Sequence, residues 1–317
     1  MDEFDLIETY FKPLSQGYGG SLGLKDDGAI IAVPPGQELV ITKDAISAGV
    51  HFIGDESPPL IAKKLLRVNL SDLAAMGAQP LAYFLALMLP KDMKAEWVKN
   101  FAQGLEEDQR EFGIHLAGGD TISTYGPLSF SITALGTILA GKALRRSGAR
   151  PGDGIYVSGT LGDSTLGLLS LQQGKGESFL EQRYLVPQPR IVLGRKLQGI
   201  AHATMDISDG LMQDLSHICR ASGVGAVIHR AHIPLSPQAA ALISKESALW
   251  SAPLCGGDDY ELLFTAAEEQ ASQLNAVAIA LNLSLTRIGT INKSANIQLL
   301  DESGNECELA YKGFKHF

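Results

Sequence analysis

Cysteine is scarce in this chain of 317 residues: Cys219, Cys255 and Cys307 lie far apart, with no CxxC pair. This number and spacing argue against a disulfide framework or a zinc site and fit a reducing compartment. The N-terminus, MDEFDLIETYF, is acidic and amphipathic, unlike a secretory signal, and no apolar run approaches the ~18 residues of a membrane span. We therefore expect a cytoplasmic protein with no membrane partner.

Basic residues are also in the minority. The chain has 26 Lys and Arg against 35 Asp and Glu, a formal net charge of −9. Surfaces that follow a nucleic-acid backbone are usually basic, so this balance argues against nucleic acid as a partner. It is compatible with a protein that binds cations.

Glycine-rich loops that bind phosphate are missing as well. No G-x-x-x-x-G-K-[ST] occurs, and the similar QGKGES at 173–178 lacks the first glycine and a preceding strand. There is no G-x-G-x-x-G after a strand, no protein-kinase motif set and no G-x-S-x-G nucleophile elbow. If the protein binds ATP, we expect metal ions to do the work of such a loop.

The length of the chain favours two domains. Strand-like and helical segments alternate, and a loop rich in glycine, proline and charge at 147–154 separates the two halves. We predict an α/β protein of the α+β type with a boundary near Arg150, giving domains 1–150 and 151–317. The predicted strands include GAIIAV (28–33), ELVITKD (38–44), LAYFLALMLP (81–90), IHLAGGD (114–120) and ATMDIS (203–208).

One apolar stretch, VNLSDLAAMG at 68–77, contains an unexpected carboxylate. Its apolar residues recur at helical spacing, and a helix would place Asn69 and Asp72 on one face. A buried carboxylate is usually paired or bound to a metal. The alternative is a second helix that begins here, with Ser71 or Asp72 as its N-cap.

Aspartates recur at the predicted strand ends or beside glycine: Asp26, Asp27, Asp44, Asp120, Asp206, Asp209, Asp258 and Asp259. Carboxylates that lie close together repel unless cations neutralise them, and Mg²⁺ prefers oxygen ligands of this kind. Because Mg²⁺ is often shared with substrate phosphates, the pattern favours a nucleoside triphosphate as substrate. For each aspartate alone, a turn or cap is the alternative.

Eight motifs then occur together in order: KDDGAII, ITKDAISAGVHF, VNLSDLAAMGAQP, LAGGDT, RRSGARPGD, MDISDGL, GGDDYELLF and YKGFKHF. From about Phe4 to Phe317 the chain resembles the thiamine-monophosphate kinases, a family of the aminoimidazole-ribonucleotide-synthetase-like ATP-binding superfamily. The resemblance implies a homodimer whose N-terminal strands form a barrel. It also implies transfer of phosphate from ATP to thiamine monophosphate, giving thiamine diphosphate.

The resemblance also implies site residues. The Mg²⁺ ligands would be Asp27, Thr42, Lys43, Asp44, Asp72, Asp120, Asp206 and Asp209. The ATP contacts would be Gly119, Asp120, Arg146 and Ser208, and the substrate contacts His51, Asp258 and Tyr311. Whether a monovalent cation assists is left open.

Three positions depart from the common family pattern: Lys25 replaces Gly, Lys43 replaces Thr, and Asp258 replaces Glu. Lys43 has no side-chain oxygen, so only its backbone carbonyl could bind a metal, and its ammonium could replace one cation. Asp258 keeps the charge but reaches one methylene less far. Tyr311 stands where Trp also occurs, which preserves stacking on a heterocycle.

Single residues also have simpler interpretations. His51 could be a hydrogen-bonded loop histidine, and Arg146 a surface arginine. We interpret five other histidines as structural: His115, His202, His217, His229 and His232. We also expect Glu261 to face solvent.

The chemistry needs no general base, because a phosphate monoester is already an anion at neutral pH. We expect direct in-line transfer without a phosphorylated protein and name no catalytic side chain. The alternatives are another synthetase of the superfamily with a different acceptor, and a non-catalytic nucleotide or metal sensor.

Overall fold

The computed structural model describes residues 3–174 and 179–307. The chain divides into two compact units. The first contains the chain up to Leu73 and Ala78–Gly141, and the second contains Ala74–Gly77 and the chain from Lys142 onward. The predicted boundary at Arg150 lies nine residues after Gly141, within the loop that precedes the first strand of the second unit.

The first unit is built on a four-stranded sheet within the described residues, in the order β1-β4-β2-β3. Strands β2 and β3 run parallel, and the other neighbours are antiparallel. The strands are β1 (Gln37–Ser47), β2 (Gln79–Pro90), β3 (His115–Thr124) and β4 (Ser129–Leu139). The helices are α1 (Glu3–Leu6), α2 (Pro58–Ala75) and α3 (Ala95–Phe112), with short turns of π or 3₁₀ helix at Ile7–Phe11, Lys12–Ser15 and Gly19–Leu24.

Helices α2 and α3 and the sheet share one core. Trp97 and Phe101 of α3 stack on Phe130 of β4, with ring centroids 6.1 and 4.9 Å apart. Arg67 of α2 donates two hydrogen bonds of 2.8 Å to Asp108 of α3, and both side chains are buried. A buried charge needs such a partner, so this pair fixes the two helices together.

The second unit is built on a six-stranded sheet in the order β10-β7-β9-β5-β8-β6, in which only the β10–β7 pair is parallel among the described strands. The strands are β5 (Gly154–Ser158), β6 (Ala201–Asp206), β7 (Gly225–His229), β8 (Leu262–Ala266), β9 (Leu285–Asn292) and β10 (Ile297–Leu300). The helices are α4 (Asp163–Gln172), α5 (Phe179–Leu185), α6 (Ile191–Lys196), α7 (Leu211–Ser222), α8 (Pro237–Ile243), α9 (Ser251–Cys255) and α10 (Ala271–Leu281). Helix α7 packs on the sheet through Leu211, Leu215 and Ile218, which are fully buried.

One sequence prediction about local structure is wrong, and one alternative interpretation is excluded. The segment GAIIAV does not form a strand, and Ile30 within it is 65% exposed, because the segment lies outside the sheet that would bury it. No second helix begins at Ser71 or Asp72, because α2 continues without a break to Ala75. Buried apolar residues on both sides of Asp72 keep this part of the helix in the core.

The structure also corrects the placement of two aspartates. Asp44 and Asp120 do not end their strands, since β1 continues to Ser47 and β3 to Thr124. Pairing with β4 and β2 extends along these strands, which carries regular structure past both residues. Asp206, in contrast, is the last residue of β6, as predicted.

Within the described ranges, every helix is too short or too polar to traverse a lipid bilayer.

Candidate active site

A cavity of about 420 Å³ lies within the first unit. Its wall combines turns near the N-terminus with β1, β2, β3 and β4, and it brings together residues that are distant in sequence. Among the predicted site residues, the wall includes Asp27, Lys43, Gly119 and Asp120. The structure thus places three predicted metal ligands around one space, together with two predicted ATP contacts, and Asp120 belongs to both sets.

Gly119 belongs to this wall because β3 lies very close to β2. A Cβ at Gly119 would lie 2.0 Å from the Leu85 carbonyl oxygen, so no larger residue fits without moving the backbone. The next residue, Asp120, turns its Oδ1 back to accept the backbone N–H of Thr121 at 2.9 Å. The Gly-Gly-Asp motif therefore fixes an exposed carboxylate on a tightly packed strand.

Helix α2 and strand β1 form a second polar group in this unit. The Thr42 hydroxyl donates to Asp72 Oδ2, and Asn69 Oδ1 accepts the backbone N–H of Asp44 at 3.1 Å. Asn69 and Asp72 thus reach the same strand from one face of the helix, as their spacing of three predicts. Asp72 is tolerated in an apolar helix because a hydroxyl and partial exposure compensate its charge.

Lys43 lies between Thr42 and Asp44 in sequence, but its side chain projects to the face of β1 opposite to that of Thr42. Successive side chains of a strand project to opposite faces. The Lys43 ammonium donates to Thr133 Oγ1 at 3.4 Å and borders the cavity, whereas Thr42 faces α2. The predicted ligands of the first unit therefore lie on both faces of the sheet.

His51 is fixed in the loop after β1. Its Nδ1 accepts the backbone N–H of Ser47 at 3.2 Å, so the neutral ring carries its proton on Nε2. The ring is half-buried, and the neighbouring Phe52 is buried against Phe130. The simpler interpretation, a hydrogen-bonded loop histidine, describes this geometry, and contact with substrate stays a prediction.

In the second unit, the end of β6 and the turn that joins it to α7 carry three predicted site residues: Asp206, Ser208 and Asp209. Asp214 of α7 shapes this turn, because its Oδ2 accepts the backbone N–H groups of both Ser208 and Asp209 at 3.1 Å. Burial, together with the nearby charges of Asp206 and Asp209, raises the pKa of Asp214 to about 8. The sequence analysis missed Asp214, although its place on the buried face of an amphipathic helix was a signal.

The GGDD segment packs against the same turn. The backbone N–H of Asp258 donates to the Ser208 carbonyl at 2.9 Å, and that of Tyr260 donates to Ile207 at 2.8 Å. A Cβ at Gly257 would lie 2.4 Å from the Ser208 carbonyl oxygen, so a glycine is needed there. These contacts bring the predicted substrate residue Asp258 beside the predicted ATP residue Ser208.

Asp258 and Tyr260 have an unusual backbone conformation, with φ of 67° and 51°. Residues other than glycine rarely adopt such positive values, and those that do are frequent at functional sites. The Tyr260 hydroxyl donates to Asp258 Oδ1 at 3.2 Å, which orients the carboxylate. Tyr311, the third predicted substrate contact, lies outside the described residues.

Arg146 is exposed in the segment that precedes Gly148. Burial lowers the pKa of His217 on α7, and the positive charges of Arg146 and Arg220 lower it further. Arg146 therefore lies near the Asp206–Asp209 turn rather than on a remote surface. His217, which we interpreted as structural, belongs to the same neighbourhood.

Behind the GGDD segment, the second unit contains a buried ionic network that the sequence did not reveal. Glu261 is fully buried and accepts hydrogen bonds from Arg183 at 2.8 Å, Arg190 at 2.6 Å and Ser158 at 2.5 Å. The expectation that Glu261 faces solvent is therefore wrong. The alternation of YELLF suggested one exposed face, but arginines from outside the strand cover that face.

Asp259 provides a test of electrostatics beside the site. It accepts the backbone N–H groups of Gly162 and Ser164 at 2.7 and 3.3 Å, and burial raises its pKa to about 8. Between about pH 4 and 8 the folded state thus holds a proton that the unfolded state has lost, so this group's contribution to stability falls as the pH rises.

We expect the stability of Asp259→Asn relative to the unchanged protein to increase by about 1 kcal/mol per pH unit from pH 5 to 7. Urea denaturation at several pH values measures this difference, with Asp301→Asn as the control, because backbone hydrogen bonds lower the pKa of this half-buried carboxyl and keep it ionised over the same pH range. A difference that does not change with pH would show that Asp259 is ionised in the folded protein.

Comparison with known proteins identifies the family of this chain. Residues 25–138 match the N-terminal domain of AIR synthase related proteins, and residues 150–302 match their C-terminal domain. Thiamine-monophosphate kinase of Escherichia coli K12 is 41% identical over 99% of this chain and 98% of its own length. The crystal structure of thiamine-monophosphate kinase from Stenotrophomonas maltophilia K279a is 39% identical, covers 94% of this chain and 98% of its own, and has a TM-score of 0.85.

A further solved structure, AaThiL complexed with AMPPCP and TMP, has a TM-score of 0.80 and 32% identity. It covers 99% of this chain and 97% of its own length. With such identities over nearly its full length, the chain belongs to the thiamine-monophosphate kinase family.

Proposed function

We propose that this protein transfers the terminal phosphate of ATP to thiamine monophosphate and releases thiamine diphosphate and ADP. The observation that carries the proposal is the juxtaposition of Asp27, Gly119 and Asp120 on one cavity wall, which the resemblance assigns to metal and nucleotide. The named relatives supply the substrate: AaThiL is complexed with AMPPCP and TMP, and the E. coli relative is a thiamine-monophosphate kinase.

The donor set of both units fits hard divalent cations. In the first unit Asp27 and Asp120 offer exposed carboxylates, and Asp72 with Thr42 offers two further oxygens. In the second unit, the Asp206–Asp209 turn adds two more carboxylates. We propose Mg²⁺ at these residues, with Asp44 as a further ligand and Lys43 contributing only its carbonyl oxygen. Bound Mg²⁺ would offset the negative charge of the phosphates and of the protein carboxylates.

The protein's own contribution to the reaction is positioning and electrostatics, which dominate phosphoryl transfer. The Lys43 ammonium in the cavity wall and the exposed Arg146 guanidinium offer positive charge to phosphate oxygens. His51 Nε2–H and the Asp258 carboxylate, both held by local hydrogen bonds, orient the acceptor. The acceptor phosphate is already ionised, so transfer is direct and no protein group is phosphorylated.

The acceptor is tested by phosphorus NMR of the full chain with MgATP and thiamine monophosphate. We expect the signals of thiamine diphosphate and an equal amount of ADP. Intact ATP with thiamine monophosphate bound would identify a sensor, and absence of thiamine monophosphate binding would favour another acceptor within the superfamily. A trapped phosphoprotein would overturn direct transfer.

We also propose a homodimer, in which strands of the first unit complete a barrel with those of the second copy. Apolar residues on three strands of that sheet support this assignment, since Ile41, Ile122 and Leu139 are 50–60% exposed. We expect light scattering after size exclusion to give twice the chain mass of 33.8 kDa. Ile41→Asp should shift the mass toward one chain, whereas Ile279→Asp, at a 74% exposed position in the second unit, should not. A monomeric unchanged protein would refute the dimer.

A further inference from the structure

Helix α7 and the turn before it bring three metal-binding side chains together. One ligand atom each of Asp209, Asp214 and His217 lies within 4.8 Å of the other two. Asp214 and His217 are three residues apart on α7, so they share a face of the helix. Gln213 fixes the third member, since its amide donates to Asp209 Oδ2 at 3.0 Å.

Only one of the two carboxyl oxygens of Asp214 accepts hydrogen bonds from the described residues. Its Oδ2 accepts the two backbone N–H groups of the turn, while its Oδ1 is buried and has no hydrogen-bond partner among the described residues. The residue is only 1% exposed, and a buried polar oxygen without a hydrogen-bond partner is costly. A ligand that reaches Oδ1 would remove that cost.

The surrounding charges favour a cation as this ligand. Asp206 acts on Asp214 together with Asp209, so three carboxylates surround the turn. Arg146 and Arg220 act on His217 and oppose a cation there, whereas Asp214 is influenced by the carboxylates of Asp206 and Asp209. A divalent ion bound by two of these carboxylates would neutralise the repulsion between them.

We propose that Asp209, Asp214 and His217 bind a divalent transition-metal ion, with Mn²⁺ preferred over Mg²⁺. Imidazole is a poor ligand for Mg²⁺ but a good one for first-row transition metals, and Mn²⁺ accepts both imidazole and carboxylate. The proposal rests on the proposed function in one respect: Asp209 is also among the residues at which we propose Mg²⁺. The Asp214 and His217 ligands set this site apart from an all-oxygen Mg²⁺ site.

The test is Mn²⁺ binding to the full chain without nucleotide, followed by electron paramagnetic resonance. We expect spin-echo modulation from an imidazole nitrogen in the unchanged protein and its loss in His217→Gln. The Kd of this ion should rise about 10- to 100-fold in His217→Gln and in Asp214→Asn. His115→Gln, which removes a half-buried histidine from the first unit, should leave the modulation and the Kd unchanged.

Two outcomes would overturn the proposal: no imidazole modulation in the unchanged protein, or modulation that persists in His217→Gln. In Asp214→Asn, the asparagine oxygen can still accept both N–H groups of the turn. If this variant does not fold, His217→Gln alone decides. Because no ATP or thiamine phosphate is present, failure here is independent of the proposed reaction. Phosphorus NMR of the same preparation with MgATP tests that reaction separately.

Discussion

Asp72→Asn is expected to lower kcat/KM for thiamine monophosphate about 100- to 1000-fold while the protein stays folded. Asparagine has the same shape and can still accept the Thr42 hydroxyl, so α2 and β1 stay joined. What disappears is the negative charge with which, in our proposal, Asp72 would bind Mg²⁺. A coupled assay of ADP release at saturating MgATP measures the loss.

The matched control for this variant is Asp92→Asn. Asp92 is an exposed aspartate in the turn between β2 and α3 of the same unit. Its replacement removes the same charge without touching the α2–β1 group, so kcat/KM should be unchanged. Full activity of Asp72→Asn would contradict our assignment of Asp72 to the metal site.

Glu261→Ala should lower the free energy of unfolding by about 3–5 kcal/mol. The two arginines that donate to Glu261 stay in the interior after the change, and Arg183 is only 10% exposed. Each then carries a buried charge without its carboxylate, which costs far more than the loss of a surface pair. Domains of this size are often stable by only about 5–15 kcal/mol, so the effect is a large fraction of the total.

Urea denaturation followed by circular dichroism measures this effect, and the second unit offers a control. Glu268 pairs with Arg287 at 2.7 Å, but its side chain is 62% exposed. Glu268→Ala should change the unfolding free energy by no more than about 1 kcal/mol, because water screens that pair. Equal effects of the two variants would show that water reaches the Glu261 network.

Much of this protein follows from its sequence alone, because some signals are local. The helical spacing around Asp72 placed Asn69 and Asp72 on one face, and the structure finds both reaching β1. The motif order led to the family, which the comparisons confirm. Two of the aspartates beside glycine, Asp27 and Asp120, lie in the wall of one cavity, where Gly119 is required by the close approach of β3 to β2.

Other features depended on contacts between residues far apart in the chain. GAIIAV has the composition of a strand, but a strand needs a neighbour, and the described sheets leave this segment outside. Glu261 alternates like a surface residue, yet Arg183 and Arg190 arrive from α5 and the segment before α6 to bury it. Asp214 and His217 of α7 come close to Asp209 only when the turn after β6 folds onto α7. Local patterns specify helices and motifs, whereas partners for charged groups come from tertiary packing, which no local spacing records.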